Sequence, residues 1–93
     1  MTSAAPLREG RGREANEHEV ARDLVRWALA AAGAKQAERI ERIRVRMGPD
    51  TDLAPDELEF AVRLLTRWTI AEGAEVEVHR TREPGLAIDA DAA

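Results

Sequence analysis

The stretch IRVRMGPDTDLAPDELEFAVRLLTRWTIAEGAEVEVH, residues 43–79, decides the fold. It opens on Ile43-Arg44-Val45-Arg46-Met47, where apolar and basic residues alternate strictly. That is the period of a strand with one buried face, and it puts Arg42, Arg44 and Arg46 together on the polar face. Gly48-Pro49-Asp50 ends the strand. Pro55 then opens a helix at a position where its missing N–H costs nothing. Asp56 and Glu57 put negative charge in the first turn, where the helix dipole favours it. Leu58, Ala61, Val62, Leu65 and Trp68 form the apolar face of this helix, broadened by Phe60 and Leu64, and Gly73 marks the loop after it. Ala74-Glu75-Val76-Glu77-Val78-His79 alternates again and predicts a second strand, with Glu75, Glu77 and His79 on one face. Arg44 or Arg46 is expected to pair across the sheet with Glu75 or Glu77, for at most ~1 kcal/mol per pair.

Upstream, Val20, Leu24, Trp27 and Ala31 recur at spacings of four, three and four, and Ala21, Val25, Ala28 and Ala32 widen the stripe. This predicts an amphipathic helix ending near Gly33, a residue suited to a left-handed cap. A short strand around Asn16–Glu19 is an open alternative at its start. Residues 1–16 hold little apolar surface besides Leu7 and read as a disordered leader, with a binding arm as the other reading. Downstream, Glu83-Pro84-Gly85 signals a turn. Residues 86–93, beginning Leu86-Ala87-Ile88, form either a tail or an edge strand. The expected class is α+β, a two-layer sandwich with two amphipathic helices on one face of a small mixed sheet of about three strands.

Composition narrows the function. The 93 residues are 44% hydrophobic and 34% charged, with net charge −4. Arg and Glu are interspersed, without the basic block that nucleic acid requires. The absence of cysteine excludes disulfides, thiolate nucleophiles, iron–sulfur clusters and cysteine-held zinc. No apolar run approaches a membrane span and no signal peptide opens the chain, so a cytoplasmic protein is expected. The only serine is Ser3, and neither a Ser–His–Asp set nor a glycine-rich phosphate loop occurs, so no enzyme is expected.

His18-Glu19-Val20 followed by an amphipathic helix resembles the His-Glu start of the HypA/HybF family of hydrogenase nickel metallochaperones. The resemblance continues through the strand ending in Gly48, Pro55-Asp56-Glu57-Leu58, Phe60, the run Leu65–Ala74 and the Pro84-Gly85 pair. It covers residues 18–85 and implies a nickel-binding domain over 17–85. It also implies a role in nickel–iron hydrogenase maturation, docking on a hydrogenase large subunit or a maturation GTPase. A homodimer is left open. The family continues after its Pro-Gly into paired CxxC motifs that hold zinc. Here Asp89 stands where the first of those cysteines is expected, so the expectation is a nickel domain without the zinc domain, and no bound zinc.

The resemblance makes His18 a nickel ligand, with Glu19 tuning or orienting the site. Nickel(II) suits imidazole and ionised backbone nitrogens in a square plane. In the family the terminal amine beside the histidine joins the chelate, whereas His18 here is internal. The competing reading of His18 is a half-exposed histidine near a helix start without metal. The corresponding reading of the whole chain is a metal-free interaction or structural module reusing the fold. His79 lies on the charged face and carries little weight as a ligand. Trp27 and Trp68 are assigned to the core, with exposure of Trp68 pointing instead to a contact surface.

Overall fold

The computed structural model describes residues 16–93, so the expected leader lies outside the described residues except for Asn16. The elements run α1 (Glu17–Ala34), β1 (Ile40–Met47), α2 (Pro55–Leu65), β2 (Glu75–Arg80) and β3 (Leu86–Ala92). The alternative strand at Asn16–Glu19 does not form. Asn16 caps α1 instead: its Oδ1 accepts from Glu19 N at 2.9 Å, and its carbonyl accepts from Val20 N. An asparagine there satisfies donors that the first helical turn otherwise leaves orphaned.

The other end of α1 also corrects the sequence. Gly33 stays inside the helix, and the left-handed residue is Gln36, at φ 58°. Ala37 N donates to Ala32 O and Gln36 N to Gly33 O, the paired bonds of a Schellman cap. The sequence signal failed because the residue at this position is not the glycine the motif prefers.

The sheet order is β2-β1-β3, with β1 parallel to β2 and antiparallel to β3. A parallel pair needs a crossover, and α2 supplies it. Ile43, Val45, Met47, Val76 and Ile88 are buried on the inner face. α1 packs on α2, β1 and β3, and α2 packs on β2. Ile40, Ile43, Met47, Leu58, Val45 and Val62 are the largest fully buried side chains. Each such burial is worth ~1.5–3 kcal/mol, which makes this layer the main source of stability.

β2 and β3 flank β1, so the chain between them must cross the end of β1. It does so over residues 81–85, directly above Gly48. A Cβ at Gly48 would meet Glu83 O, with Pro84 Cα at 2.7 Å and Gly85 N at 2.8 Å. Thr81 N donates to Met47 O, Gly48 N to Gly85 O and Gly85 N to Asp50 Oδ1, fastening the crossing on both sides. Residues 86–92 therefore emerge as a full edge strand rather than a tail.

The outer face of the sheet is a grid of charge. The register aligns Glu75, Arg42 and Asp91 in one row and Glu77, Arg44 and Asp89 in the next. The expected pairing is shifted. Arg42, rather than Arg44 or Arg46, meets Glu75 at 3.2 Å and Glu77 at 4.0 Å. Arg44 and Arg46 turn to β3, where Arg46 meets Asp89 at 3.0 Å and Arg44 meets Asp91 at 3.5 Å. The reason is that the carboxylates of β3 were not placed in a strand by the sequence pattern. These pairs are solvated and add little energy each.

α2 is shorter than its apolar pattern suggested. It ends at Leu65, and Trp68 follows in a turn at φ 69°. Trp68 is exposed and is not part of the core, and Phe60 and Leu64 face outward as well. Trp27 does pack against the core, partly buried.

Candidate functional site

α1 presents the candidate ligands in its first turn. Its apolar stripe begins at Val20, which turns Val20 and Ala21 inward and leaves His18 and Glu19 exposed. The backbone N–H groups of Glu19 and Val20 are both taken by Asn16. The imidazole of His18 sits on the exposed side of this first turn, beside its own amide nitrogen and that of Glu17. An imidazole next to ionisable amides is the donor type that nickel(II) favours. The helix dipole opposes a cation here, and the carboxylates of Glu17 and Glu19 oppose that effect in turn.

Glu17 has a second task that the sequence reading missed. Its Oε2 accepts from Ala54 N at 2.9 Å. Ala54 is the N-cap of α2 and has no side chain with which to cap it. Glu17 thus closes one helix start from another, and it fixes the first turn of α1, with His18 on it, to the body of the domain. The signal available in the sequence was Ala54 before Pro55: a helix start without a capping side chain needs an acceptor from elsewhere.

The second histidine lies elsewhere. His79 sits on the outer face of β2, with Nε2 3.3 Å from Glu77 Oε1 and in register with Arg46. Among the described residues, no three His, Cys, Asp or Glu side chains gather at one point as a metal cluster. A groove of about 290 Å³ between α1 and β3 is lined by Trp27, Ala31, Lys35, Ile88 and their neighbours, and it contains neither His18 nor Glu19. No described helix is long and apolar enough to cross a membrane.

Fold and site together define a small two-layer α+β domain that displays one imidazole at a helix start. Comparison with known proteins makes that class specific. Residues 16–85 match the family model described as hydrogenase/urease nickel incorporation, metallochaperone, hypA, and the chain belongs to this family. It is 35% identical over 63 residues to the hydrogenase maturation factor HypA of Archaeoglobus fulgidus, covering 68% of this chain and 57% of that protein. The HypA of Thermococcus kodakarensis is 40% identical over 62 residues, covering 67% and 45%. That of Methanopyrus kandleri is 34% identical over 67 residues, covering 72% and 47%. The chain spans about half the length of the curated relatives it matches.

Proposed function

We propose that this chain is an accessory domain of hydrogenase maturation that handles nickel as cargo at the first turn of α1. His18 supplies the imidazole. The amide nitrogens of Glu17 and His18 supply donors that ionise on binding, so protons are released as the metal enters. Glu19 balances charge and orients the site, while Glu17 anchors the turn through Ala54. The observation that carries this reading is the exposed His18 in the first turn of α1, inside the segment that matches the nickel-incorporation family. An exposed site of this kind suits a carrier, because cargo must leave again for a partner. That partner is a hydrogenase large subunit or a maturation GTPase, met in the cytoplasm. Zinc has no place in the reading, since the sequence has no thiolate to hold it.

A second reading has its own support. A metal-free interaction module is favoured by the lack of any three-residue metal cluster among the described residues. Nickel titration by calorimetry on the full chain and on His18→Ala separates the two. Saturable binding that His18→Ala abolishes supports the carrier; equal, negligible affinity in both removes it.

A further inference from the structure

The first turn of α1 is closed twice. Asn16 Oδ1 accepts from Glu19 N at 2.9 Å, and the Asn16 carbonyl accepts from Val20 N at 3.1 Å, so residues 17–19 are wound into the helix from its first position. Glu17 adds a tether from the side: its Oε2 accepts from Ala54 N at 2.9 Å, across 37 residues of chain. Glu17 is half-buried where His18 and Glu19 are exposed, and Val20, Ala21 and Leu24 behind them are buried in the core. Within a helix the N–H groups of successive residues run nearly parallel to the axis. A square-planar ion needs its donors converging in one plane. The amides of Glu17 and His18 do not converge while both residues are helical. Val20 and Ala21 are fixed by the core, so the part that must turn is Asn16–Glu17. Turning it draws the Asn16 side chain off Glu19 N and the Glu17 carboxylate off Ala54 N.

We propose that the side chains of Asn16 and Glu17 form a latch that holds this turn helical and thereby sets how weakly nickel is held. The inference rests on the nickel reading of His18 and adds two positioning residues to it, whose side chains act on the turn and not on the metal. Nickel enters the open turn alone, so its apparent affinity is reduced by the fraction of chains in which the latch is open. Each of the two fastenings, a helix cap and a carboxylate–amide bond, shifts that fraction by about fivefold. The linkage is reciprocal. Metal that opens the turn also frees Ala54 N, at the start of a helix that has no capping side chain of its own. When the cargo leaves, cap and tether re-form, and their re-formation favours release. A site that must hand its metal on is served by a turn that returns to helix without it.

Nickel titration by calorimetry on the full chain and its variants tests it. Asn16→Ala and Glu17→Ala are each expected to bind nickel about fivefold more tightly than the parent. Asn16→Ser still caps the helix, and Glu17→Gln still offers an oxygen to Ala54 N, so both are expected to bind no more tightly than the parent. The sign separates the latch from charge: by Coulomb attraction alone, loss of the Glu17 carboxylate weakens a cation site, and Glu17→Ala and Glu17→Gln behave alike. A second readout needs no substitution. Square-planar nickel(II) is diamagnetic, so amide resonances stay sharp, and in the loaded parent the Ala54 amide is expected to shift and to exchange faster with solvent while those of Ile43 and Val45 hold. Alanine variants that bind no more tightly than the parent, or an Ala54 amide unchanged at nickel saturation, overturn the latch; binding that His18→Ala abolishes then leaves the nickel reading in place. No saturable binding in the parent or in either alanine variant overturns both.

Discussion

Gly48→Ala tests the crossing that completes the sheet. The added methyl would strike Glu83 O, and it would also lie 2.7 Å from Pro84 Cα and 2.8 Å from Gly85 N. All three are backbone atoms, so no side chain can rotate out of the way. Relief requires the 81–85 segment to lift off β1, and that lengthens the bonds from Thr81 N to Met47 O and from Gly48 N to Gly85 O, now 2.9 and 2.8 Å. Overpacking of this kind costs about 1–3 kcal/mol, and the two weakened hydrogen bonds about 0.5–1 kcal/mol each. Replacing glycine returns about 0.5–1 kcal/mol through the unfolded chain. The net loss is about 1–4 kcal/mol, a large share of the ~5–15 kcal/mol expected for a domain of this size. Urea unfolding followed by circular dichroism measures it, with a fall in Tm of about 10–25 °C expected alongside. Hydrogen exchange adds the location: the Gly48 and Thr81 amides lose protection before the amides of α1. A stability within ~0.5 kcal/mol of the parent would refute the argument, because it would mean that the crossing does not rest on Gly48.

Three further outcomes are expected. Gln36→Gly removes the left-handed strain at the end of α1 and should stabilise the domain by about 1 kcal/mol in chemical denaturation. Glu17→Ala should cost about 1 kcal/mol by leaving the Ala54 N–H without its carboxylate acceptor, and Ala54→Ser in the same chain should recover part of it through a different bond, the new hydroxyl accepting from the N–H of Asp56 or Glu57. A chain made to begin at Glu17 places a terminal amine one residue before His18; it should bind nickel more tightly than the full chain, with a yellow square-planar absorption band and proton release, and His18→Ala in that shortened chain should lose the band.

Much of the fold was legible because its signals are local. The alternation at 43–47 and 74–79 and the stripes of α1 and α2 each repeat within one element, so they announce burial without knowledge of a partner. Pro55 with Asp56 and Glu57 likewise marked a helix start to the residue. Trp68 was misread for the same reason: its spacing continues the α2 stripe, but the helix stops at Leu65 and the turn rotates the ring outward. His18 and Glu19 were legible as candidates through their motif. Their neighbour Glu17 was not, because its role depends on Ala54, 37 residues away.

The sequence by itself determined the two layers, the order of helix and strand, and the identity of the single imidazole at the start of α1. Hydrophobic period and helix-start chemistry depend only on near neighbours, and they survive in the bare string of residues. The tertiary structure alone decided which arginine meets which acid, why position 48 must be glycine, and which face of α2 is left to water. Each of these depends on segments distant in sequence being brought within a few ångströms, after β3 has crossed to the far side of β1. That crossing is a property of chain topology, and no local periodicity encodes it.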